Sequence, residues 1–313
     1  MRRIKDKFWA WLLSYKHRIA GRRTLLARVI DWAFFPRDYL VAVRGYWRKF
    51  GRLPNISRPR SFNECVQRRK LFERDPRFTV LADKLAVRKH VAERVGEAYL
   101  TKVYWTGTDL MAARRVDLPS RFVVKSNHST ATNLIITDAD DFSWPYAAGI
   151  TRDWLLRDLS FALAEWHYRW IPPLLYIEEY LEPRPGSTSL TDYKFFVFHG
   201  KARFLRIIDD RLGGKRSFGL DMRLQPIRIG NHVTAPLPGD MPRPRKLDEM
   251  IEVAERISLP DLAFQRVDLY EVSGRVVFGE MTFTPAAGLM KDWEPKELHE
   301  YLGALSTVAD SLS

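Results

Sequence analysis

Asp268 and Glu280 are the pair of carboxylates whose spacing most suggests chemistry. They lie in Arg266-Val267-Asp268-Leu269-Tyr270-Glu271-Val272-Ser273-Gly274-Arg275-Val276-Val277-Phe278-Gly279-Glu280-Met281-Thr282, two β-rich runs around a Ser-Gly break. Such a pattern predicts a β-hairpin. With the turn centred on Gly274, Asp268 faces Glu280 and Arg266 faces Thr282. All four then share one sheet face, because side chains alternate with period 2. Opposed carboxylates repel, so a sheet that keeps them needs a cation nearby. Two hard oxygen donors on a rigid hairpin suit Mg²⁺, which retains waters and phosphate oxygens as its other ligands. A solvated strand face, with Arg266 neutralising Asp268, is the competing reading. A turn one residue shorter would set Asp268 opposite Gly279 and weaken the metal reading.

Four further groups are candidates for a binding site. Lys125 ends the apolar run Phe122-Val123-Val124 and precedes the loop Ser126-Asn127-His128-Ser129-Thr130-Ala131-Thr132-Asn133. A lysine leaving a strand beside small polar residues can hold a phosphate, the loop supplying N–H groups and hydroxyls; a strand-end lysine beside a polar turn is the plainer alternative. Lys194, in Asp192-Tyr193-Lys194-Phe195-Phe196-Val197-Phe198, is a charge inside an apolar strand, where a partner is expected. Asp192 on the same face could be that partner, so a structural ion pair and a phosphate contact both stand. Glu178-Glu179 doubles an acid inside a third apolar run; one of the two must face inward or onto a cleft, unless the strand is an edge. Arg206, Arg211 and Arg266 are candidate anion clamps, since a guanidinium forks onto phosphoryl and carboxylate oxygens.

The elements that must position these residues follow from punctuation and period. Ser61-Phe62-Asn63-Glu64 is a capping box that opens a helix to about Phe72. Asp83 caps a second helix carrying Val87, Val91 and Val95, stopped by Gly96. Short strands are expected around 122–125 and 134–137, a helix over 151–168, and strands at 176–181, 193–198 and 202–208, the last two joined at His199-Gly200. The Gly/Pro-rich stretch 212–244 reads as irregular, 245–258 as a helix, and about 295–311 as the last helix. This order is α+β with hairpins rather than strict βαβ alternation. Neither a Walker-type loop nor a GxSxG elbow occurs.

With 313 residues, 46% of them hydrophobic, the chain can bury a sizeable core. Its formal net charge of +13 is unevenly placed: residues 1–60 hold 16 Lys+Arg and three acids (Asp6, Asp31, Asp38), so the rest is neutral. That excludes a basic groove across the fold and argues against nucleic acid as a partner. The segment is also aromatic (Phe8, Trp9, Trp11, Trp32, Phe34, Phe35), which fits an amphipathic helix on an anionic leaflet; helices that simply pack on the body are the alternative. The uncharged run from Phe8 to Tyr15 is too short to cross a bilayer, and no small-residue cleavage site follows it. One cysteine, Cys65, excludes an internal disulfide framework and reads as a buried thiol.

Taken in order, strand lysine, polar loop, acidic strand, second strand lysine and late Arg-x-Asp…Glu-x-Thr hairpin, the chain resembles the ATP-grasp ligases. Arg266-Val267-Asp268 and Glu280-Met281-Thr282-Phe283-Thr284-Pro285 are similar to the closing hairpin of the D-alanine–D-alanine ligases. More closely, the chain resembles the TupA-like ATP-grasp family of surface-polysaccharide (teichuronopeptide-type) biosynthesis. That likeness is carried by Ser61-Phe62-Asn63-Glu64, Ala82-Asp83-Lys84, Phe122 to His128, Glu178-Glu179, Asp192-Tyr193-Lys194, Asp210-Arg211, Arg266 to Tyr270 and Gly279 to Pro285. It spans about residues 55–305.

The resemblance implies an α+β ATP-grasp fold, with antiparallel sheets, flanking helices and a nucleotide between two subdomains. A basic helical extension (1–54) would precede a body (55–313), divided into a nucleotide-gripping part (about 118–200) and a metal-site part (about 201–313). ATP phosphates would meet Lys125, His128, Ser129, Thr130 and Lys194, and Glu178 or Glu179 the adenine and ribose. Asp268, Glu280 and Thr282 would bind Mg²⁺; Arg266, Lys194 and Arg211 would act on the transferring phosphoryl group. The chain departs from the family pattern at His128-Ser129-Thr130-Ala131, where the family is Gly-rich, and Thr282 stands where ATP-grasp enzymes usually have Asn. The implied activity is an ATP- and Mg²⁺-dependent carboxylate–amine ligase using an amino acid and a sugar-acid or peptide acceptor of a surface polymer. It would work in the cytoplasm, peripheral on the inner face of the membrane through residues 1–50. A glycosyltransferase and a non-catalytic ATP-grasp scaffold are the competing classes.

Overall fold

The computed structural model describes residues 25–209, 216–291 and 295–307; Phe8 to Tyr15, Arg211 and residues 308–311 of the expected last helix lie outside them. The first elements are helices α1 (Leu25–Phe50), α2 (Phe62–Phe72), α3 (Arg77–Ala82) and α4 (Val87–Val95). Strands β1 (Val103–Gly107), β2 (Phe122–Ser126) and β3 (Asn133–Ile136) precede α5 (Trp144–Leu155), α6 (Leu159–Leu163) and β4 (Leu175–Glu179). Next come β5 (Asp192–Phe198), β6 (Lys201–Asp209), β7 (Arg216–Leu220), β8 (Arg228–Ile229) and β9 (His232–Val233). The chain ends with α7 (Leu247–Ile257), β10 (Gln265–Val272), β11 (Arg275–Thr282) and α8 (Leu298–Leu305).

Two compact units result, one of Met1–Tyr39, Arg74–Val87 and Thr101–Tyr180, the other of Leu40–Glu73, Arg88–Leu100 and Leu181–Ser313. The first holds an antiparallel sheet in the order β1-β4-β2-β3. Phe122, Val124, Leu175 and Ile177 form one face of it and pack with Ala147 and Trp154 of α5. Val123, Lys125, Tyr176 and Glu178 therefore alternate onto the other face. The expected helix over 151–168 is in fact two. Helix α5 starts earlier, with Pro145 in its first turn, where a missing N–H costs nothing. Asp158 then accepts a hydrogen bond from the Phe161 N–H at 3.1 Å and caps α6 anew.

The second unit holds a five-stranded antiparallel sheet in the order β11-β10-β5-β6-β7. Met250, Val253, Ala254 and Ile257 give α7 a buried stripe at i, i+3, i+4 and i+7. Phe196, Phe198 and Phe204 of the sheet pack with Phe62 and Val66 of α2 and Leu298 and Leu302 of α8. At the entrance to α2 the capping box forms as expected: Glu64 N–H donates to Ser61 Oγ at 3.4 Å and Ser61 N–H to Glu64 Oε2 at 3.2 Å. The segment 212–244 is not wholly irregular. It contains β7, an edge strand, and the β8–β9 hairpin.

Candidate active site

The β10–β11 hairpin turns on two residues, Ser273 and Gly274, both at positive φ (51° and 74°). This is the shorter turn, the one that alone would oppose Asp268 and Gly279. Yet Asp268 pairs with Glu280 and Arg266 with Thr282, because a bulge at Gly279 inserts one extra residue into β11. A two-residue turn of this geometry follows the strand twist, and the bulge restores the register that the turn removes. A side chain at the bulge would be crowded. A Cβ on Gly279 would lie 2.8 Å from the Tyr270 ring and 3.1 Å from the Asp268 carbonyl oxygen.

Register then carries the charges across the sheet. Glu280 opposes Asp268, Asp268 opposes Lys194 on β5, and Lys194 opposes Arg206 on β6. One transverse row thus reads acid, acid, base, base. Lys194 pairs with Asp268 Oδ2 and lies 3.4 Å from Asp192 Oδ1. Arg266 Nε donates to Asp268 Oδ1 at 2.6 Å, and its terminal nitrogen bridges Asp268 Oδ2 (2.8 Å) and Glu280 Oε1 (2.7 Å). The Thr282 hydroxyl reaches Glu280 Oε1 at 3.4 Å. Arg206 Nε donates to Ser217 Oγ at 2.7 Å. Asp192, Lys194, Arg206 and Asp268 are buried, and Glu280 is partly open. Burial opposes the charge on Arg266, but Asp268 and Glu280 outweigh it and raise the guanidinium pKa. Burial raises the Asp268 carboxyl above its ordinary range, against the pull of Arg266 and Lys194.

Lys125, in the first unit, pairs with Glu178 Oε1 on the sheet face opposite the core. Glu178 also accepts from Thr101 Oγ1 at 2.8 Å. Glu179 alternates to the other face, where its carboxylate accepts the Lys102 N–H at 3.0 Å. Of the doubled acid, Glu178 is the one beside the lysine. The loop after Lys125 closes through Ser126 Oγ and Thr132 Oγ1, 2.7 Å apart. Ser129 is buried with no hydrogen bond to its hydroxyl, while Thr130 is exposed. His128 is buried, with Nδ1 3.1 Å from Asn127 Oδ1. Ala131 sits at φ 53°, so the loop has left-handed backbone without glycine.

Sequence reasoning missed what holds both places. Asn127 Oδ1 accepts the Leu174 N–H at 2.8 Å, and Nδ2 donates to Asp83 Oδ1 (2.9 Å) and Pro172 O (3.1 Å). Burial raises the Asp83 carboxyl, opposed by its bonds to Leu85 and Asn127. Lys84 Nζ donates to Ser129 O at 2.7 Å. Below the hairpin, α2 is polar yet buried: Gln67 Nε2 donates to Ala287 O (2.9 Å) and Gly288 O (3.0 Å), and Lys70 Nζ to Ala287 O (3.1 Å). They grip the exit from β11, where Ala286, Ala287 and Gly288 take φ of 47°, 53° and 70°. Consecutive left-handed residues persist only where surroundings over-determine them, and such strain clusters at functional sites. The signal was present in Gln67-Arg68-Arg69-Lys70, a charged run with no apolar stripe inside a well-capped helix. Cys65, by contrast, is as expected: buried, with its thiol pushed up to about 11 by desolvation.

Asp268, Glu280 and Thr282 offer oxygen donors of the kind Mg²⁺ takes, and the partly open Glu280 leaves room for further ligands. The place between the two carboxylates is bridged by Arg266. Among the described residues no cluster of three or more His, Cys, Asp or Glu forms a metal site. Arg211 lies outside the described residues.

The chain is similar to several solved structures. D-alanine–D-alanine ligase from Bacillus anthracis, complexed with ATP, is 16% identical, with 66% of this chain and 55% of that one covered at TM-score 0.34. The ATP-grasp ligase PsnB with its minimal precursor is 12% identical, covering 74% and 61%, TM-score 0.40. N5-carboxyaminoimidazole synthetase from Staphylococcus aureus is 11% identical, covering 74% and 53%, TM-score 0.39. The chain thus spans less than two thirds of each of these proteins. A search of curated proteins finds no match. A family model described as TupA-like ATPgrasp matches residues 64–307, most of the chain, from the capping-box glutamate through both lysines to the carboxylate hairpin and α8, and the chain belongs to that family.

Proposed function

We propose that the chain is an ATP- and Mg²⁺-dependent ligase joining a carboxylate to an amine. The row Glu280–Asp268–Lys194–Arg206, with Arg266 across its acidic end, carries the reading. Asp192, Asp268 and Glu280 pair with Lys194 and Arg266, and Arg206 stands opposite Lys194, so three acids and three bases leave the cluster without formal net charge. A polyphosphate added to a neutral site needs an accompanying cation, and the donor set of Asp268, Glu280 and Thr282 would hold Mg²⁺. When bound, Mg²⁺ supplies charge neutralisation at the phosphate oxygens.

The chain's own groups do the rest. Lys125 and the loop 126–132 hold phosphate oxygens; the buried Ser129 hydroxyl is a donor at hand. Glu178, beside Lys125, accepts nucleotide hydroxyl or amino protons. Lys194 and Arg266 stabilise charge as the substrate carboxylate attacks the γ-phosphorus and ADP leaves. The amine then attacks the acyl carbon of the acyl phosphate, phosphate departs, and an amide forms. The family resemblance supports an amino acid as one substrate and a sugar acid or peptide of a surface polymer as the other. The basic, aromatic N-terminal segment supports work at an anionic membrane surface.

ADP release across candidate amino acids and sugar acids tests the reaction, with Asp268→Asn as control. Amine-dependent ADP release by the native chain, lost in the variant, is the expected result; equal turnover by Asp268→Asn would sink the metal assignment. A non-catalytic scaffold, which the glycine-free loop leaves open, predicts nucleotide binding with no amine-dependent ADP release.

A further inference from the structure

Helix α1 is asymmetric in a way that composition does not show. Its two acids face the body: Asp31 and Asp38 each take a guanidinium nitrogen of Arg169 at 2.8 Å, and Asp31 also accepts Trp170 Nε1 at 3.1 Å. Ala42 and Tyr46 continue this buried side. The opposite side is apolar and open. Val29 (56% exposed), Trp32 (67%), Leu40 (67%) and Trp47 (54%) recur at three, eight and seven residues, so they share one stripe of the helix, with Pro36 among them. Phe161, 60% exposed, stacks under the Arg37 guanidinium on its margin, 3.6 Å from ring centroid to Cζ. Arg44 and Arg48 are exposed beside the stripe's C-terminal half.

Water is a poor solvent for such a stripe, and large exposed apolar patches mark interaction surfaces. Its basic flank selects the partner. Asp31 and Asp38 are taken up by Arg169, and Asp38 also by Arg37 at 3.1 Å, which leaves Arg44 and Arg48 as the exposed bases beside the stripe. Residues 1–60 carry 16 Lys+Arg against three acids while the remainder of the chain is neutral. Apolar aromatics bounded by bases fit the boundary between acyl chains and anionic headgroups. No helix among the described residues is long and apolar enough to cross a bilayer, so α1 would lie on it.

We infer that the outward face of α1, formed by Val29, Trp32, Leu40 and Trp47 and bounded by Arg44 and Arg48, is the surface by which this protein docks on an anionic lipid leaflet. The inference deepens the membrane part of the proposed function and is independent of the ligase chemistry. Because the N-terminal half of α1 is tied to Arg169, docking on this face also orients the unit that holds both, which a loose basic tail would not do.

The test uses the full chain and vesicles of phosphatidylcholine with or without phosphatidylglycerol, read by co-sedimentation. Binding is expected only to the anionic vesicles. The variant Trp32→Ser/Leu40→Gln/Trp47→Ser should lose it at all salt concentrations. Arg44→Gln/Arg48→Gln should weaken it about thirtyfold at low salt, with the difference shrinking as salt rises. Circular dichroism confirms folding of each variant. Unchanged binding by both variants, with loss instead on neutralising Arg2, Arg3, Lys5 and Lys7, would overturn the inference. So would a dimer in solution that the apolar variant dissolves, with no vesicle binding. ADP release, measured without lipid, should be the same in all these variants, so failure of docking and failure of the ligase reading are told apart.

Discussion

The carboxylate hairpin and the loop after Lys125 are held in opposite ways. In the hairpin, backbone register does the positioning. A two-residue turn, a bulge at Gly279 and four paired strands set Glu280, Asp268, Lys194 and Arg206 in one row, and side chains then pair where they stand. In the loop, side chains do the positioning. Asn127, Lys84 and the Ser126–Thr132 pair tie down a backbone that no ladder holds. The first arrangement is rigid and neutral, suited to charges that must not move. The second leaves Thr130 and Ala131 exposed at its tip, suited to a segment that closes on something.

The contrast breaks most sharply at Lys194. A buried ion pair is weak evidence for stability, but removing one partner strands the other. Lys194→Met leaves Asp192 and Asp268 buried with one cation fewer, and should cost about 3–5 kcal/mol and abolish ADP release. Urea unfolding checks the first part. Adding Asp268→Asn to Lys194→Met should recover part of the loss, because the stranded charge goes with it; strictly additive costs would mean that the row is not one unit.

The loop's equivalent is Asn127→Ala. It removes an acceptor from Leu174 N–H and a donor from Asp83 and Pro172, all within the buried foot of the loop. The expected loss is about 2–3 kcal/mol, with a raised KM for ATP and a smaller change in kcat, since the charged row is untouched. A fall in kcat at constant KM would place Asn127 in the chemistry rather than in the loop's support.

Gly279→Ala tests whether the bulge sets the row. The added methyl meets the movable Tyr270 ring, but also the Asp268 carbonyl oxygen, which must shift. Overpacking of this kind costs roughly 1–3 kcal/mol. Activity should fall by more than the stability loss explains, because the strand that slips carries Glu280. Native turnover in this variant would show that Arg266, bridging both carboxylates, holds them without help from the bulge.

How much of this was legible follows from what each element must satisfy. The hairpin, the capping box at Ser61–Glu64 and the valine helix could be read because local chemistry alone dictates them. The Asp268–Glu280 pairing was reached through a turn one residue too long. Two features off by one, the turn and the bulge, compensate, and a bulge leaves no trace in period-2 alternation beyond a glycine. Strands β1 and β7 escaped because edge strands of half-exposed pattern need no apolar alternation. The polar face of α2 reads as solvated in sequence because its partners are main-chain carbonyls at 264, 283 and 287–288, more than two hundred residues away for the last of these. Long-range bonds to backbone have no residue-type signature.

The glycine-free loop is where sequence and structure together say most. A family pattern rich in glycine suggests that the backbone itself must approach phosphate, and Ser129-Thr130-Ala131 looks like its loss. Ala131 nevertheless takes φ 53°, the region that glycine makes accessible. The left-handed conformation costs a non-glycine residue about 1–2 kcal/mol. Ala131→Gly removes that strain but loosens the unfolded chain by about 0.4–1 kcal/mol. The first is the larger, so stability should rise by about 1 kcal/mol, and KM for ATP should stay at the native value because the backbone path is already in place. Ala131→Val should behave differently. A β-branched side chain fits the left-handed region poorly, so stability should fall by about 1–2 kcal/mol and KM for ATP should rise. If Ala131→Gly instead lowers KM steeply, the alanine methyl is itself the obstacle at the phosphate site. Backbone shape, which the chain retains, would then not be sufficient for the loop to close on a nucleotide.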